Sequence, residues 1–246
     1  MIKFNVFALI AVAVCLSFLS CNSETETIDE ATFGYGYFPL KKGNVWVYAS
    51  DSIIFTNGGA RKDTFHALIM EEIGDPFLDL SGDTIYKLNR FFKRNEADPW
   101  QRINTWTIQK NKSNAIRTEE NIKFVKLVFP VKEGLRFDGN VYVNEDLKVE
   151  VGGEMLEPYD SWNHQIKSLA TDITYKDKTV KSLHVNLVDE TSIIDRRKAD
   201  EYYADGIGLV KKETTILDSD GSKPNDPWET KAKKGFIHTL TLIDHK

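Results

Sequence analysis

From Asn44 onward the chain repeats one unit: a run of β-branched and aromatic residues, a cluster of Gly, Asp, Asn or Ser, then another such run. NVWVYASDSIIF is followed by NGGARKD, and TFHALIMEEI and TIYKLNRFFKRN flank a Ser-Gly-Asp turn. RINTWTIQK, IKFVKLVF, KSLHVNLVDE, TSIIDRRKADEYY, IGLVKKETTIL and FIHTLTLIDH continue the pattern. This spacing predicts antiparallel strands joined by hairpins. An open array of so many strands leaves long unpaired edges, so the sheet is expected to curl into a barrel or half-barrel or to pack as a sandwich. A curled sheet also encloses a cavity. The predicted fold class is therefore all-β, mainly antiparallel, with at most a helical turn or two, around Thr118 to Asn121 or Met155 to Lys167, the latter broken by Pro158.

Some local departures carry information. Ile122, Phe124, Val125, Leu127 and Phe129 do not alternate strictly, which predicts a doubly buried strand or a bulge near Val125. In KLVFPVKEGLRFDGN, Pro130 should end a strand, and Gly134 with Asp138-Gly139-Asn140 should supply positive φ. In EYYADGIGLVKKET, Asp205-Gly206 reads as a turn and Gly208 as a bulge or close backbone approach. Trp46, Trp100, Trp106, Trp162 and Trp228 sit at strand spacing and read as core before pocket.

The N-terminus has a different logic. Lys3 precedes the apolar run VFALIAVAVCLSF, an n-region and h-region too short for a membrane span of about 20 residues. Ser20 and then Cys21 follow, an arrangement that resembles the lipobox of bacterial lipoproteins, with Phe18 in place of the more usual Leu, Val or Ile. The resemblance implies that Cys21 takes a diacylglycerol and becomes the new N-terminus. Cys15 leaves with the signal, so Cys21 has no internal disulfide partner, and acyl chains anchor the chain stably without a transmembrane helix. The expected organisation is a lipoprotein signal peptide over residues 1–20, an acidic flexible tether over 21–37, and one β-rich domain over 38–246. Within the tether, Glu24, Glu26, Asp29 and Glu30 resemble the acidic signal that sends some Bacteroidota lipoproteins to the cell surface.

Chemistry is sparse. The net charge of −5 argues against nucleic acid as a partner. Lys41-Lys42, Arg196-Arg197 and Lys211-Lys212 are dispersed and read as solvated strand edges. His66, His164, His184, His238 and His245 lack metal-ligand spacing, and no cofactor motif is present. Asp218 and Asp220 precede Gly221, but the third acidic ligand and closing Glu of a calcium loop are missing, so a turn is expected. No catalytic residue is selected by spacing. A glycan hydrolase would need a carboxylate pair, for which Glu201 and Asp205 are candidates beside an aromatic cleft.

Three phrases in order, YFPLKKGNVWVYASDSI, VKLVFPVKEGLRFDGN and YYADGIGLVKKE, resemble a group of uncharacterised Bacteroidota lipoproteins across Tyr37 to Glu213. The resemblance implies a lipid-anchored, β-rich domain of the outer membrane, on its periplasmic or cell-surface face, and supplies no catalytic residues. The expected role is structural, or binding of an envelope protein, a lipid or a glycan, with a surface hydrolase as the rival.

Overall fold

The computed structural model describes residues 30–160 and 162–246. The signal, Cys21 and most of the acidic tether lie outside the described residues. Twelve strands form one antiparallel sheet: β1 (Val45–Thr56), β2 (Arg61–Leu78), β3 (Thr84–Lys93), β4 (Gln101–Lys110), β5 (Asn114–Glu119), β6 (Ile122–Val128), β7 (Arg136–Phe137), β10 (His164–Tyr175), β11 (Lys178–Thr191), β12 (Asp195–Ala204), β13 (Gly208–Asp218) and β14 (Lys234–His245). A separate hairpin is made by β8 (Val149–Val151) and β9 (Glu154–Leu156). The order is β6-β5-β4-β3-β2-β1-β14-β13-β12-β11-β10-β7, two meanders joined where β1 pairs with β14.

The edges β6 and β7 approach each other. The Val125 N–H donates to the Gly139 carbonyl just past β7 at 2.9 Å, bridging the seam and bringing the sheet close to a closed barrel. Closure removes most of the exposed edge, as the strand count required.

The regularity comes from turn chemistry. Asn57, Gly58 and Gly59 carry positive φ between β1 and β2, where the NGG cluster predicted a hairpin. Glu120-Asn121 and Lys176-Asp177 are also both in the left-handed region, the geometry of tight hairpin turns. Thr118 to Asn121 is thus the end of β5 and a turn, not helical; Met155 to Lys167 likewise contributes β9, a loop and the start of β10. The helical turns fall elsewhere, at Glu30–Phe33, Tyr35–Tyr37, Asn57–Gly59 and Trp228–Lys231. Propensity read over a few residues lost to strand pairing there.

Near the start of β1 and the end of β14 the interior is packed solid. Ile73, Leu127, Ile166, Leu183, Val210 and Leu242 are almost fully buried, each contributing roughly 1.5–3 kcal/mol of apolar burial. Residues 30–37, placed in the tether by sequence, dock here: the Phe33 carbonyl accepts from Val131 N–H, Gly36 from Gly206 N–H, and the Tyr35 ring meets Phe129 edge-on at 4.8 Å.

Gly139 does not adopt positive φ as DGN suggested. It is small because a Cβ would fall 2.4 Å from the His164 imidazole. Gly208 has φ +96°, and its open face receives Pro39 and Trp46. The register of β12 with β13 shifts beside Tyr203, and that of β5 with β6 shifts between Ala115 and Ile116, leaving Lys126 in the bulge.

Candidate functional site

Beyond the packed end the barrel widens into a cavity of about 330 Å³. Its walls are set by strand alternation, since every second residue faces inward. β1 supplies Trp46, Tyr48 and Ser50; β2 Ile69 and Glu71; β3 Leu88 and Arg90; β4 Trp106 and Ile108. From the other side β12 supplies Glu201 and Tyr203, β13 Lys212 and Thr214, and β14 His238 and Leu240. The connection between β7 and β10 crosses the sheet with Pro158, Tyr159 and Trp162 facing the same space. Phe38 and Pro39 cover the side nearest the packed end.

A belt of charge runs through this apolar chamber. Glu71 stands opposite Arg90 in the register of β2 with β3, and Glu201 opposite Lys212 in that of β12 with β13. Glu71 is 2 % exposed and accepts from Arg90 Nε at 2.9 Å and from both terminal nitrogens of Arg117. The Arg90 guanidinium also lies 3.5 Å from the Trp106 ring centre, a cation–π contact that orders the indole. Glu201 is fully buried, accepts from Lys126 Nζ at 2.6 Å and takes the Tyr203 hydroxyl as a donor. Glu119 joins the two groups, 3.2 Å from Arg117 and 3.8 Å from Lys126. The bulge in β6 is what turns Lys126 inward to reach Glu201.

The electrostatics follow from this pairing. Burial raises the pKa of Glu119, but Arg117, Lys212 and Lys126 outweigh it and hold the carboxyl at about 2. Glu201 is likewise held at about 2, with burial overcome by Lys126 and Lys212. His238, buried and close to Lys212 and Arg90, is pushed down to about 4 and is neutral at physiological pH. Burial and the Lys126 ammonium lower Lys212. Tyr159 is raised to about 12 by burial and by Glu119. The site is a layer of paired charges between aromatic and aliphatic walls.

No family model and no curated protein matches the chain. Solved structures that it matches at a low level include two from bacteria. One is a Bacteroides fragilis protein described as exported, with a YmcC-like fold, at 10% identity and TM-score 0.38, covering 85% of this chain and 98% of that one. The other, described as a lipoprotein, is from Parabacteroides distasonis, at 13% identity and TM-score 0.38, with coverage of 85% and 98%. Similarity at this level carries no argument about role.

The structure sorts the residues singled out by sequence. Trp46, Trp106 and Trp162 line the chamber, while Trp228 packs outside the barrel beside Phe55 and Leu217. Glu201 faces the chamber; Asp205 does not, its carboxylate lying against Gly36, so the two are not brought together. His66 pairs with Asp51 at 2.7 Å and His184 with Asp200 at 2.8 Å, on the sheet's outer face. Asp220 accepts from Ser222 N–H in the expected turn. Two basic pairs are not solvated edges. Arg197, 7 % exposed, donates to the Leu217 carbonyl and pairs with Asp218 at 2.7 Å, because β12 is a central strand; Lys212 faces the chamber. Glu71, Arg90, Arg117 and Lys126 were not singled out from sequence. Their signal was a charge standing on the apolar parity of a strand, as Glu71 does between Ile69 and Ile73. Among the described residues no group of three or more His, Cys, Asp or Glu is placed to hold a metal.

Proposed function

We propose that this chain is a lipid-anchored envelope protein, attached through Cys21, whose barrel chamber binds an amphipathic small molecule. The outer membrane is the proposed location, with the acidic tether favouring its cell-surface face. The observation that carries the binding role is the chamber itself. About 330 Å³ is at the lower end of the range for ligand pockets. Apolar walls surround a few fixed polar groups, the usual composition of a site that holds one small molecule by burial and orients it by charge.

Mass spectrometry of the detergent-purified mature protein tests this, first under native and then denaturing conditions. A discrete additional mass, separate from the covalent acyl group, is expected in the native spectrum and should be released on denaturation. Substituting Leu240→Trp to fill the chamber should abolish it. A native spectrum without any additional mass, together with no uptake of added amphiphiles, would contradict the proposal.

A further inference from the structure

The charges in the chamber do not sum to zero. Arg90, Arg117, Lys126 and Lys212 face Glu71, Glu119 and Glu201, leaving one more cation than anions. The surplus can be located. Arg90, Arg117 and Lys126 each donate to a buried carboxylate. The Lys212 ammonium makes no hydrogen bond among the described residues; it pairs at 3.7 Å with Glu201 Oε1, an oxygen already taken by Lys126 at 2.6 Å. Its side chain is only a quarter exposed, so water screens this unmatched ammonium poorly.

A second, independent observation lies beside it. Thr214 is 7 % exposed and lines the chamber, and its hydroxyl has no hydrogen-bond partner. Lys212 and Thr214 are two residues apart on β13, hence on the same face and about 7 Å apart along the strand. Both are donors, and an acceptor placed between them would satisfy both. Across the strand from Thr214 stands His238, whose Nε2 is already engaged with the Ser50 hydroxyl at 3.1 Å and which adds no charge when neutral. Trp46, Trp106 and Trp162 line the same chamber.

We infer that the ligand is anionic, with an oxyanion headgroup that is a carboxylate or a phosphate ester. That headgroup is seated between Lys212 and Thr214, and the apolar body lies against the tryptophans. This rests on the proposed binding role and specifies the ligand's chemistry. An anion at this point neutralises the chamber, partners the unpaired ammonium and counters the burial that lowers its pKa.

Tryptophan fluorescence titration of the mature protein at neutral pH with decanoate, decyl phosphate and decanol tests it. Both anions are expected to bind about tenfold or more tightly than decanol. The tighter of the two identifies the headgroup. Lys212→Met should erase that preference by weakening the anions far more than decanol, and Thr214→Val should weaken the anions severalfold. If Lys212→Met fails to fold by thermal melt, Lys212→Gln carries the same expectation. Equal binding of decanol and both anions to the unaltered protein would overturn the anion inference while leaving the chamber reading intact. Absence of binding for all three would overturn both.

Discussion

Follow β2 or β13 inward from the packed end and the interior changes within one turn of the strand pleat. Ile73 and Val210 sit in a solid apolar core, and the next inward residues, Glu71 and Lys212, face a chamber. The backbone, pairing and curvature are continuous across the two regions. The packed end is stabilised by filling space, whereas the chamber tolerates unfilled space because its charges hold one another in fixed positions. A site of this kind can be opened in a barrel without loosening the sheet.

The largest expected effect breaks the charged layer. Glu71→Ala removes the carboxylate partner of Arg90 and leaves Arg117 with Glu119 alone, and loss of one partner in such a network costs about 3–5 kcal/mol. Urea denaturation should show this, and a change below about 1 kcal/mol would mean the belt is solvated. Leu183→Ala, in the packed end, should cost about 2–5 kcal/mol through lost burial and a residual void.

Acid should act on the chamber side. His164, 4 % exposed, is pushed down to about 4 by burial and by Lys126, against about 6.5 in the unfolded chain. Its stabilising contribution is complete above pH 6.5 and lost as pH falls toward 4, about 3 kcal/mol in all. His164→Phe should flatten that limb of a stability-against-pH curve. A second limb, from about pH 4.5 down to 2, should persist as Glu119 and Glu201 are protonated. Lys212→Met should have the smallest effect, a change of about 1 kcal/mol or less in either direction, because it removes a cation with no close partner. A loss comparable to that of Glu71→Ala would show that Lys212 is structurally paired.

The fold was legible because strand alternation and turn residues are local. The order of β1 and β2 around Asn57-Gly58-Gly59, the bulge beside Val125 and the turn at Asp205-Gly206 all follow from neighbours in sequence. The charged layer was not, since it joins residues from β2, β3, β5, β6, β12 and β13, whose proximity exists only after closure. Lys126 is the clearest case: its inward direction depends on a bulge whose exact residue the sequence leaves open. Lys211-Lys212 was misread for a related reason, because a pair of adjacent lysines on a strand always points to both faces, and one face here is the chamber.

The most direct test is a crystal structure of the mature protein grown with an ω-bromo fatty acid, located by the anomalous signal of bromine. The expected result is a bromine peak inside the barrel among Trp46, Trp106 and Trp162, with the carboxylate at Lys212 and Thr214. A peak confined to the outer surface, or a chamber closed by inward movement of those tryptophans, would contradict the claim that this barrel is built to hold a ligand.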